Sequence, residues 1–281
     1  MRGIILSGGL GSRLYPITFN TCKQLLPIYD KPMIYYPLAT LMQASIREIL
    51  IICRPRDIPS FRNVLSDGSY LGLDITYAEQ ADANGIAHSF TIAESFIQNQ
   101  PVALILGDNI FYGHDLPQIL APCSNHTKGA HIFGYQVDDP ERYGVLSFDQ
   151  EGCVDGIIEK PRDPPSSYAV TGLYFYDHQI VDIARTLKPS QRGEYEITDV
   201  NNIYLSQNQL ETTLLDRDVA WFDTGTFEAM HQASTYVKTV QDKQGIQVGC
   251  IEEIAYHQGF IDINQLEKLA YAQASMSFNT V

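Results

Sequence analysis

Short apolar runs alternate with amphipathic stretches along most of this chain. The apolar runs have the length of strands, and the stretches between them carry apolar residues at helical spacing. This alternation is typical of a parallel or mixed sheet that is covered by helices, so we predict an α/β fold. The predicted strands are Ile4–Leu6, Ile49–Cys53, Ile75–Ala78, Val102–Leu106, Ile132–Val137, Val154–Ile158 and Val170–Tyr176, and the predicted helices are Met33–Ser45, Ala87–Ile97, Gln179–Leu187, Asp199–Gln207 and Phe227–Val240.

A glycine cluster follows the first predicted strand, in the sequence Gly8-Gly9-Leu10-Gly11-Ser12-Arg13. Backbone N–H groups in such a turn can converge on an anion, and Arg13 adds a charged fork that suits phosphate. The cluster is not a Walker loop, which ends in Gly-Lys-Ser or Gly-Lys-Thr. It is not a dinucleotide fingerprint either, because Leu14 stands where a third small residue is needed. A tight strand-to-helix connection with an exposed arginine remains the alternative.

The composition restricts the class of partner. The chain has 281 residues, of which 44% are hydrophobic, so it can bury a full core. Its formal net charge of −14 argues against nucleic acid or an anionic membrane as the partner. If the substrates are phosphates, local basic groups and a metal ion must attract them, because the field of the whole protein repels anions.

The cysteines and the apolar runs indicate the compartment. The five cysteines are odd in number and form no Cys-x-x-Cys pair, which indicates reduced thiols. No basic and apolar leader precedes the first predicted strand, and no apolar run reaches the length of a membrane span. We therefore expect a cytoplasmic protein. We also expect two parts, a core over residues 1–244 and a helical segment over 245–281 that packs on it.

Two polar stretches near the predicted sheet edge are candidates for phosphate and metal binding. Lys23 lies in a polar segment shortly after the glycine turn, where it could share a ligand with Arg13. Asp108 follows the apolar strand Val102–Leu106 and a glycine, and ligands of open α/β sheets bind outside such strand ends. The alternatives are a solvated lysine and an aspartate that caps the next turn, with Asn109 as a second capping residue.

Two later stretches carry further charged candidates. Glu159 and Lys160 end the predicted strand Val154–Ile158, where the acid could accept sugar hydroxyls and the lysine could bind a phosphate. Trp221 stands two residues before Asp223, which precedes a Thr-Gly turn and a helix. Asp223 could supply a second metal carboxylate. The alternatives are a charge pair on an edge strand and a capped helix start.

These stretches, taken in order, resemble the bacterial glucose-1-phosphate thymidylyltransferases, a family of sugar-phosphate nucleotidylyltransferases. The resemblance runs from the first residue to about Leu269. The matching motifs are the glycine loop with Arg13-Leu14-x-Pro16, the run from Lys23 to Pro37, Gly107-Asp108-Asn109, Asp139-Pro140-Glu141-Arg142-Tyr143-Gly144-Val145, Glu159-Lys160-Pro161, Val170-Thr171-Gly172-Leu173-Tyr174-Phe175-Tyr176 and Trp221-Phe222-Asp223-Thr224-Gly225-Thr226.

The resemblance implies a reaction, a fold and a set of site residues. The reaction is transfer of a thymidylyl group from dTTP to glucose 1-phosphate on a Rossmann-like core, with Mg²⁺ as cofactor and a homotetramer as assembly. The implied catalytic residues are Arg13, Lys23, Asp108 and Asp223, with both aspartates on the metal. The implied nucleotide-binding residues are Gly8, Gly9, Gly11, Ser12, Arg13, Lys23, Gln24, Gln80 and Gly85, and the implied sugar-phosphate-binding residues are Tyr143, Gly144, Glu159, Lys160, Val170 and Arg192.

These residue types suffice for the implied reaction. A sugar 1-phosphate is already an anion at neutral pH, so its oxygen can attack the α-phosphorus without a base that deprotonates it. Basic side chains and a metal ion reduce the repulsion between the two anions and hold them in line. The seven histidines fall in no metal-ligand or triad spacing, which agrees with direct displacement.

The chain departs from the family pattern in two places. Members commonly have Gln-Pro-x-Pro-x-Gly-Leu-Ala, whereas this chain has Gln80-Ala81-Asp82-Ala83-Asn84-Gly85-Ile86-Ala87. The lost prolines predict a looser base pocket. The end of the chain, Ala274 to Val281, also lacks the Gly-Tyr-Gly-like segment that members use for feedback.

Alternative functions remain open from the sequence. One is a UTP-using or other sugar-phosphate nucleotidylyltransferase, and another is a non-catalytic regulatory paralogue. A nicotinamide dehydrogenase would need the complete glycine fingerprint. A metal-dependent glycosyltransferase often has two acids around one residue, where this chain has Asp108-Asn109-Ile110.

Overall fold

A computed structural model describes residues 1–125 and 127–278 of the chain. The strands are β1 Arg2–Ser7, β2 Pro27–Ile28, β3 Lys31–Pro32, β4 Glu48–Cys53, β5 Asp74–Glu79, β6 Val102–Leu106, β7 Asn109–Tyr112, β8 Ala130–Gln136, β9 Gly144–Phe148, β10 Val154–Glu159, β11 Tyr168–Tyr176, β12 Leu210–Leu215 and β13 Ala220–Asp223. The helices are α1 Tyr35–Gln43, α2 Ile58–Leu65, α3 His88–Ile92, α4 Glu94–Ile97, α5 Leu116–Ser124, α6 Ile180–Thr186, α7 Ile197–Ser206, α8 Phe227–Gln244, α9 Ile251–His257 and α10 Ile263–Phe278.

A mixed nine-stranded sheet forms the centre of the fold. Its main path runs β10-β9-β11-β6-β1-β4-β5, and β8 joins β11 to β12. Strands β6, β1, β4 and β5 are mutually parallel, and β8 and β12 are also parallel to each other. Strand β11 runs antiparallel to β6, β8 and β9, and β10 runs antiparallel to β9. Most strands therefore point one way, which confirms the predicted mixed, mostly parallel sheet.

The two faces of the sheet bury separate apolar layers. Because successive strand residues point to opposite faces, Ile4 of β1 packs into one layer and Ile5 into the other. Helices α1, α2, α5 and α9 contribute to the layer that contains Ile5, and α3, α6 and α7 contribute to the layer that contains Ile4. Both faces of the parallel strands are thus covered, as a parallel sheet requires.

The structure corrects parts of the predicted element list. All seven predicted strands form, with bounds that shift by up to two residues. The predicted helix Ala87–Ile97 was wrong as one element, because it breaks at Ala93, whose ψ of 3° is not helical. The sequence analysis missed β9 and β12, whose residues are only partly apolar, and the short strands β7 and β13.

The C-terminal helices lie against the core. Ile251 and Ala255 of α9 are fully buried in the layer that contains Ile5, and Leu269 of α10 packs on it as well. The closing residues beyond 278, where the family pattern is lost, lie outside the described part of the chain. Across the described residues, none of the helices has the length and apolar character to cross a membrane.

Candidate active site

A cavity of about 280 Å³ opens where β6, β10, β11 and β13 bring polar side chains together. Of these strands, β6, β10 and β11 belong to the nine-stranded sheet, and β13 pairs with β7 outside it. Its lining residues are Arg13, Ile86, Leu106, Asp108, Asn109, Arg142, Tyr143, Gly144, Glu159, Lys160, Val170, Gly172, Tyr174, Ile197, Thr198, Trp221 and Asp223.

Asp108 and Asp223 come together although 115 positions separate them in the sequence. Strand β13 pairs with β7 so that Asp223 stands opposite Asn109, the residue after Asp108. Thr224 fixes this arrangement, because its backbone N–H and its hydroxyl donate to the Asp108 carbonyl at 3.0 and 2.7 Å. The two carboxylates therefore share one wall of the cavity.

Lys23 is buried beneath this wall rather than solvated. It begins a short 3₁₀ turn, Lys23–Leu25, and its ammonium forms an ion pair with the Asp108 carboxylate. The Lys23 side chain is 8% exposed and that of Asp108 15% exposed. A lysine is rarely buried unless it is paired, so Asp108 is what allows Lys23 to lie here.

The two carboxylates have opposite pKa shifts. Burial works against ionisation of Asp108, but the charge of Lys23 and hydrogen bonds from Lys23 and Asn109 outweigh it and lower the pKa of Asp108. Burial and the neighbouring Asp108 charge raise the pKa of Asp223, and Lys23, Arg13 and Arg142 oppose that rise only in part. Neighbouring acids whose pKa values are shifted in opposite directions are common at functional sites.

The donor set of this wall suits magnesium. The two carboxylates lie at one cavity surface, and the described residues contain no cluster of three or more His, Cys, Asp or Glu side chains that could enclose a metal. Magnesium commonly takes one or two protein carboxylates and fills its shell with phosphate oxygens and water. Asp108 and Asp223 therefore fit a metal that also binds a phosphorylated substrate.

Asn109 holds the carboxylate wall together, a role that the sequence analysis missed when it treated this residue as a cap. Its buried side-chain oxygen accepts hydrogen bonds from the Trp221 indole at 2.7 Å and from the Gly172 backbone at 3.1 Å. The register of β11 against β8 shifts between Val170 and Tyr174, which leaves the Gly172 N–H for this contact. The Asn109 amide also donates to Asp108 at 3.1 Å.

Arg142 is a second residue that the sequence analysis did not assign. It ends the 3₁₀ turn Pro140–Arg142 and donates from Nη1 to Asp139 at 2.5 Å. Its Nη2 lies 3.6 Å from the Asp223 carboxylate. The charge of Arg142 is visible in the sequence, but its contact with Asp223 is not, because the two residues are distant in the chain.

The far side of the cavity carries a second set of polar groups. Glu159 ends β10 and accepts a hydrogen bond from the Thr198 hydroxyl at 2.6 Å. The Lys160 backbone has φ of 43°, a turn that leaves its half-exposed ammonium 3.6 Å from Glu159. The Tyr143 and Trp221 rings pack against each other with centroids 5.3 Å apart and planes tilted by 59°, so two aromatic rings form an apolar corner beside these polar groups.

A second, smaller cavity of about 180 Å³ adjoins the first through Ile86, which lines both. Its other lining residues are Leu6, Gly8, Gly9, Gln80, Ala83, Gly85 and Glu194. A Cβ at Gly8 would lie 2.3 Å from Oε1 of the buried Gln80, so only glycine allows that amide to reach the glycine loop. Gly85 has φ of 100°, and Asn84 and Ala87 on either side hydrogen-bond to the Tyr195 backbone.

The structure brings most of the predicted site residues to these two cavities. Eight line the larger cavity, namely Arg13, Asp108, Tyr143, Gly144, Glu159, Lys160, Val170 and Asp223. Four line the smaller one, namely Gly8, Gly9, Gln80 and Gly85. Gly11, Ser12, Lys23, Gln24 and Arg192 line neither.

The predicted residues outside the cavities have protein partners of their own. The Gln24 side-chain oxygen lies 2.9 Å from the Cys22 thiol, in the buried layer below the glycine loop. Arg192 donates to Glu159 at 3.1 Å and to Glu194 at 2.6 Å, so it sits among carboxylates at the rim.

Comparison with known proteins identifies the family. The nucleotidyl transferase family model matches residues 2–240. A glucose-1-phosphate thymidylyltransferase of Neisseria meningitidis is 51% identical over 99% of this chain and 96% of the relative. The chain belongs to the glucose-1-phosphate thymidylyltransferase family. An enzyme of the same name from Xanthomonas campestris is 54% identical over 96% of this chain and 91% of the relative, and one from Mycobacterium tuberculosis is 52% identical over 97% and 94%.

Solved structures of nucleotidyltransferases share the fold of this thymidylyltransferase family member. One from Bacillus anthracis, designated a glucose-1-phosphate thymidylyltransferase and bound to sucrose, has a TM-score of 0.77 and 42% identity over 84% of this chain and 94% of that chain. A UDP-glucose pyrophosphorylase with UDP-glucose has a TM-score of 0.73 and 25% identity, over 85% and 98%. The resemblance stated from the motifs is thereby confirmed, and the chain is an enzyme of this nucleotidyl transferase family.

Proposed function

We propose that this enzyme transfers the thymidylyl group of dTTP to glucose 1-phosphate and releases dTDP-glucose and pyrophosphate. The observation that carries the proposal is the pair of adjoining cavities, in a chain that is more than 50% identical to thymidylyltransferases along nearly its whole length. The smaller cavity takes the thymine base, with Gln80 and the Gly85 backbone at its edge. The larger cavity takes the sugar phosphate and the reacting phosphates.

The charged side chains of the larger cavity have separate roles in the proposed reaction. Arg13 stabilises the charge that develops on the departing pyrophosphate. Glu159, held by Thr198, accepts hydrogen bonds from sugar hydroxyls, and Lys160 binds the sugar phosphate. No side chain has to act as a base, because the attacking phosphate oxygen already carries charge.

Asp108 and Asp223 hold a magnesium ion in this proposal. Both carboxylates face the cavity, and their number matches what magnesium takes from proteins. When bound, the ion screens the repulsion between the phosphates and the acidic protein and neutralises charge on the pyrophosphate. Asn109, through its hydrogen bond to Asp108, keeps one of the two ligands oriented.

Arg192, Lys23 and the glycine loop bind the phosphate groups of the substrates in this proposal. Arg192 reaches the sugar phosphate by exchanging Glu159 and Glu194 for phosphate oxygens. Lys23 and the N–H groups from Gly8 to Ser12 bind the triphosphate. Gln24 lies in the buried layer and supports this loop from below.

UTP is the second candidate nucleotide. The chain is 25% identical to a UDP-glucose pyrophosphorylase of similar fold, and Ala83, which replaces a family proline, lines the smaller cavity. A smaller and less rigid wall weakens contact with the thymine methyl group. We propose that dTTP remains preferred and that the preference over UTP is modest.

The assembly and the division of the chain also belong to this proposal. We expect a homotetramer in the cytoplasm, with residues 1–244 as the catalytic core and 245–281 as a helical segment on it. The described part of this segment, α9 and α10, packs on the core through Ile251, Ala255 and Leu269.

The experiment that tests the proposal is a matrix of pyrophosphate release. dTTP, UTP, CTP, ATP and GTP are each paired with glucose 1-phosphate, N-acetylglucosamine 1-phosphate and mannose 1-phosphate, with Mg²⁺. We expect the highest kcat/KM for dTTP with glucose 1-phosphate and the second highest for UTP. A preference for a purine nucleotide would contradict the assignment of the smaller cavity, and absence of turnover with every pair would indicate a non-catalytic paralogue.

A further inference from the structure

Each of the two acidic residues at the cavity wall has a basic partner of its own. Lys23 forms an ion pair with Asp108 from below, and Arg142 faces Asp223 from the side of the 3₁₀ turn Pro140–Arg142. A cation shared by the two carboxylates, as proposed above, competes with these basic partners for the carboxylate oxygens and weakens both ion pairs. The partners are then free to bind anions.

The geometry of Arg142 shows that its contact with Asp223 is incomplete. The guanidinium is fixed by Nη1, which donates to Asp139 at 2.5 Å, and it lies 5.3 Å from the centre of the Tyr143 ring. Its Nη2 is buried and has no hydrogen-bond partner among the described residues. The Asp223 carboxylate oxygen is 3.6 Å from Nη2, beyond hydrogen-bond distance.

A buried donor without an acceptor is costly, so the unpaired Nη2 of Arg142 is suited to an acceptor that a ligand brings. Arg142 lines the same cavity as Arg13 and Lys160. In the proposed function, the acceptors that would reach this wall are the phosphate oxygens of a substrate in the larger cavity. A planar guanidinium held by one edge presents its other edge to such an anion.

We propose that Arg142 is a further phosphate-binding residue, which acts as the counterion of Asp223 before the cation binds and donates from Nη2 to the polyphosphate afterwards. This inference rests on the proposed function, because it requires a cation on Asp223 and a phosphorylated substrate in the larger cavity. Asp139 keeps the guanidinium in place through both states, and Tyr143 fixes its plane.

The exchange predicts opposite effects of one substitution on two ligands. In Arg142→Ala, a cation no longer competes with a neighbouring positive charge for Asp223. Mn²⁺ should therefore bind the nucleotide-free protein about three- to tenfold more tightly. The same variant loses a charged hydrogen-bond donor to phosphate, so dTTP with Mg²⁺ should bind at least about tenfold more weakly.

The experiment measures both affinities on the full-length protein without sugar phosphate. Mn²⁺ binding is followed by electron paramagnetic resonance and dTTP binding by calorimetry, for wild type, Arg142→Ala, Arg142→Lys and Arg185→Ala. Arg142→Lys keeps the charge, so its Mn²⁺ affinity should stay near wild type while its dTTP affinity falls. Arg185→Ala removes an exposed arginine that pairs with Glu94 and Asp182, and it should change neither affinity.

Opposite shifts in Arg142→Ala support the proposal. Weaker binding of both ligands would show that Arg142 only maintains the wall, and unchanged binding of both would show that it faces neither ligand. Either result overturns the exchange. Failure of the proposed function is recognised separately, because wild type would then release no pyrophosphate from dTTP and glucose 1-phosphate whatever the Mn²⁺ affinities are.

Discussion

In the metal-free protein, Asp108→Asn should lower the stability, whereas Asp223→Asn should leave it unchanged or raise it. Both substitutions keep the side-chain volume and remove one negative charge from the same cavity wall. Asp108 is the ion-pair partner of a lysine that is 8% exposed, whereas Asp223 has no close basic partner of equal burial. The two variants are therefore matched controls for each other.

The loss of stability in Asp108→Asn can be worked out from the Lys23 charge, which is left without its partner. Removing one partner of a buried ion pair costs about 3–5 kcal/mol, because the other charge is left uncompensated. We expect the lower end, about 3 kcal/mol, since Asp223 still acts on Lys23. For a chain of this size that loss lowers the Tm by roughly 5–10 °C.

Asp223→Asn should leave the Tm unchanged or raise it. Burial and the Asp108 charge raise the pKa of Asp223, so its ionisation at neutral pH opposes folding. The gain from asparagine should shrink as the pH falls and Asp223 takes up a proton. The pKa of Asp108 is lowered instead, so its stabilising effect is present above the pKa that Asp108 has in the unfolded chain and is lost as the pH falls through the folded value.

Thermal unfolding in EDTA at neutral and acidic pH, followed by circular dichroism, measures these shifts. Pyrophosphate release with Mg²⁺ provides the functional readout, and both variants should lose activity steeply. Equal losses of stability in the two variants, or no loss of stability in Asp108→Asn, would contradict this reasoning. Either result would show that the ion pair between Lys23 and Asp108 does not determine how these carboxylates affect stability.

Three further predictions concern substrate binding. Arg13→Lys keeps the positive charge but loses the planar guanidinium, so kcat should fall more than substrate affinity. A raised KM with unchanged kcat would show that Arg13 binds the substrate without stabilising the transition state. Lys160→Ala should chiefly raise the KM for the sugar phosphate, and a shift in the nucleotide KM instead would mean that the two cavities are interchanged. Gly8→Ala should displace the Gln80 amide, because the amide oxygen would lie 2.3 Å from the new Cβ. The dTTP KM should then rise several-fold, on the order of one lost hydrogen bond. An unchanged dTTP KM would show that Gln80 does not bind the base.

The sequence predicted the parts of the fold that depend on local pattern. Apolar runs such as Ile49–Cys53 and Val102–Leu106 form the parallel strands, because strands buried on both faces are apolar throughout. Strands β9 and β12 were missed because Ser147 interrupts the short apolar run of β9, and because β12 contains Glu211, Thr212 and Thr213. Their place depends on pairing with β10 and β8, which no local pattern encodes.

The site was predictable where a motif follows a strand, as for Asp108 and Glu159. It was less predictable where a residue's environment is made by distant segments. Lys23 lies in a polar segment by its sequence, yet the Asp108 carboxylate 85 positions away allows it to be buried. Asn109 and Arg142 acquire their roles from Trp221 and Asp223 of β13, which lie 112 and 81 positions later in the chain.

A crystal structure of the enzyme with dTTP and Mg²⁺ is the measurement that tests the central claim most directly. The account predicts one ion between Asp108 and Asp223, with carboxylate oxygens roughly 2.0–2.1 Å from it or one water removed, and with nucleotide phosphate oxygens in the same shell. It also predicts the thymine ring in the smaller cavity beside Gln80. An ion held away from either carboxylate, or a base in the larger cavity, would contradict the account.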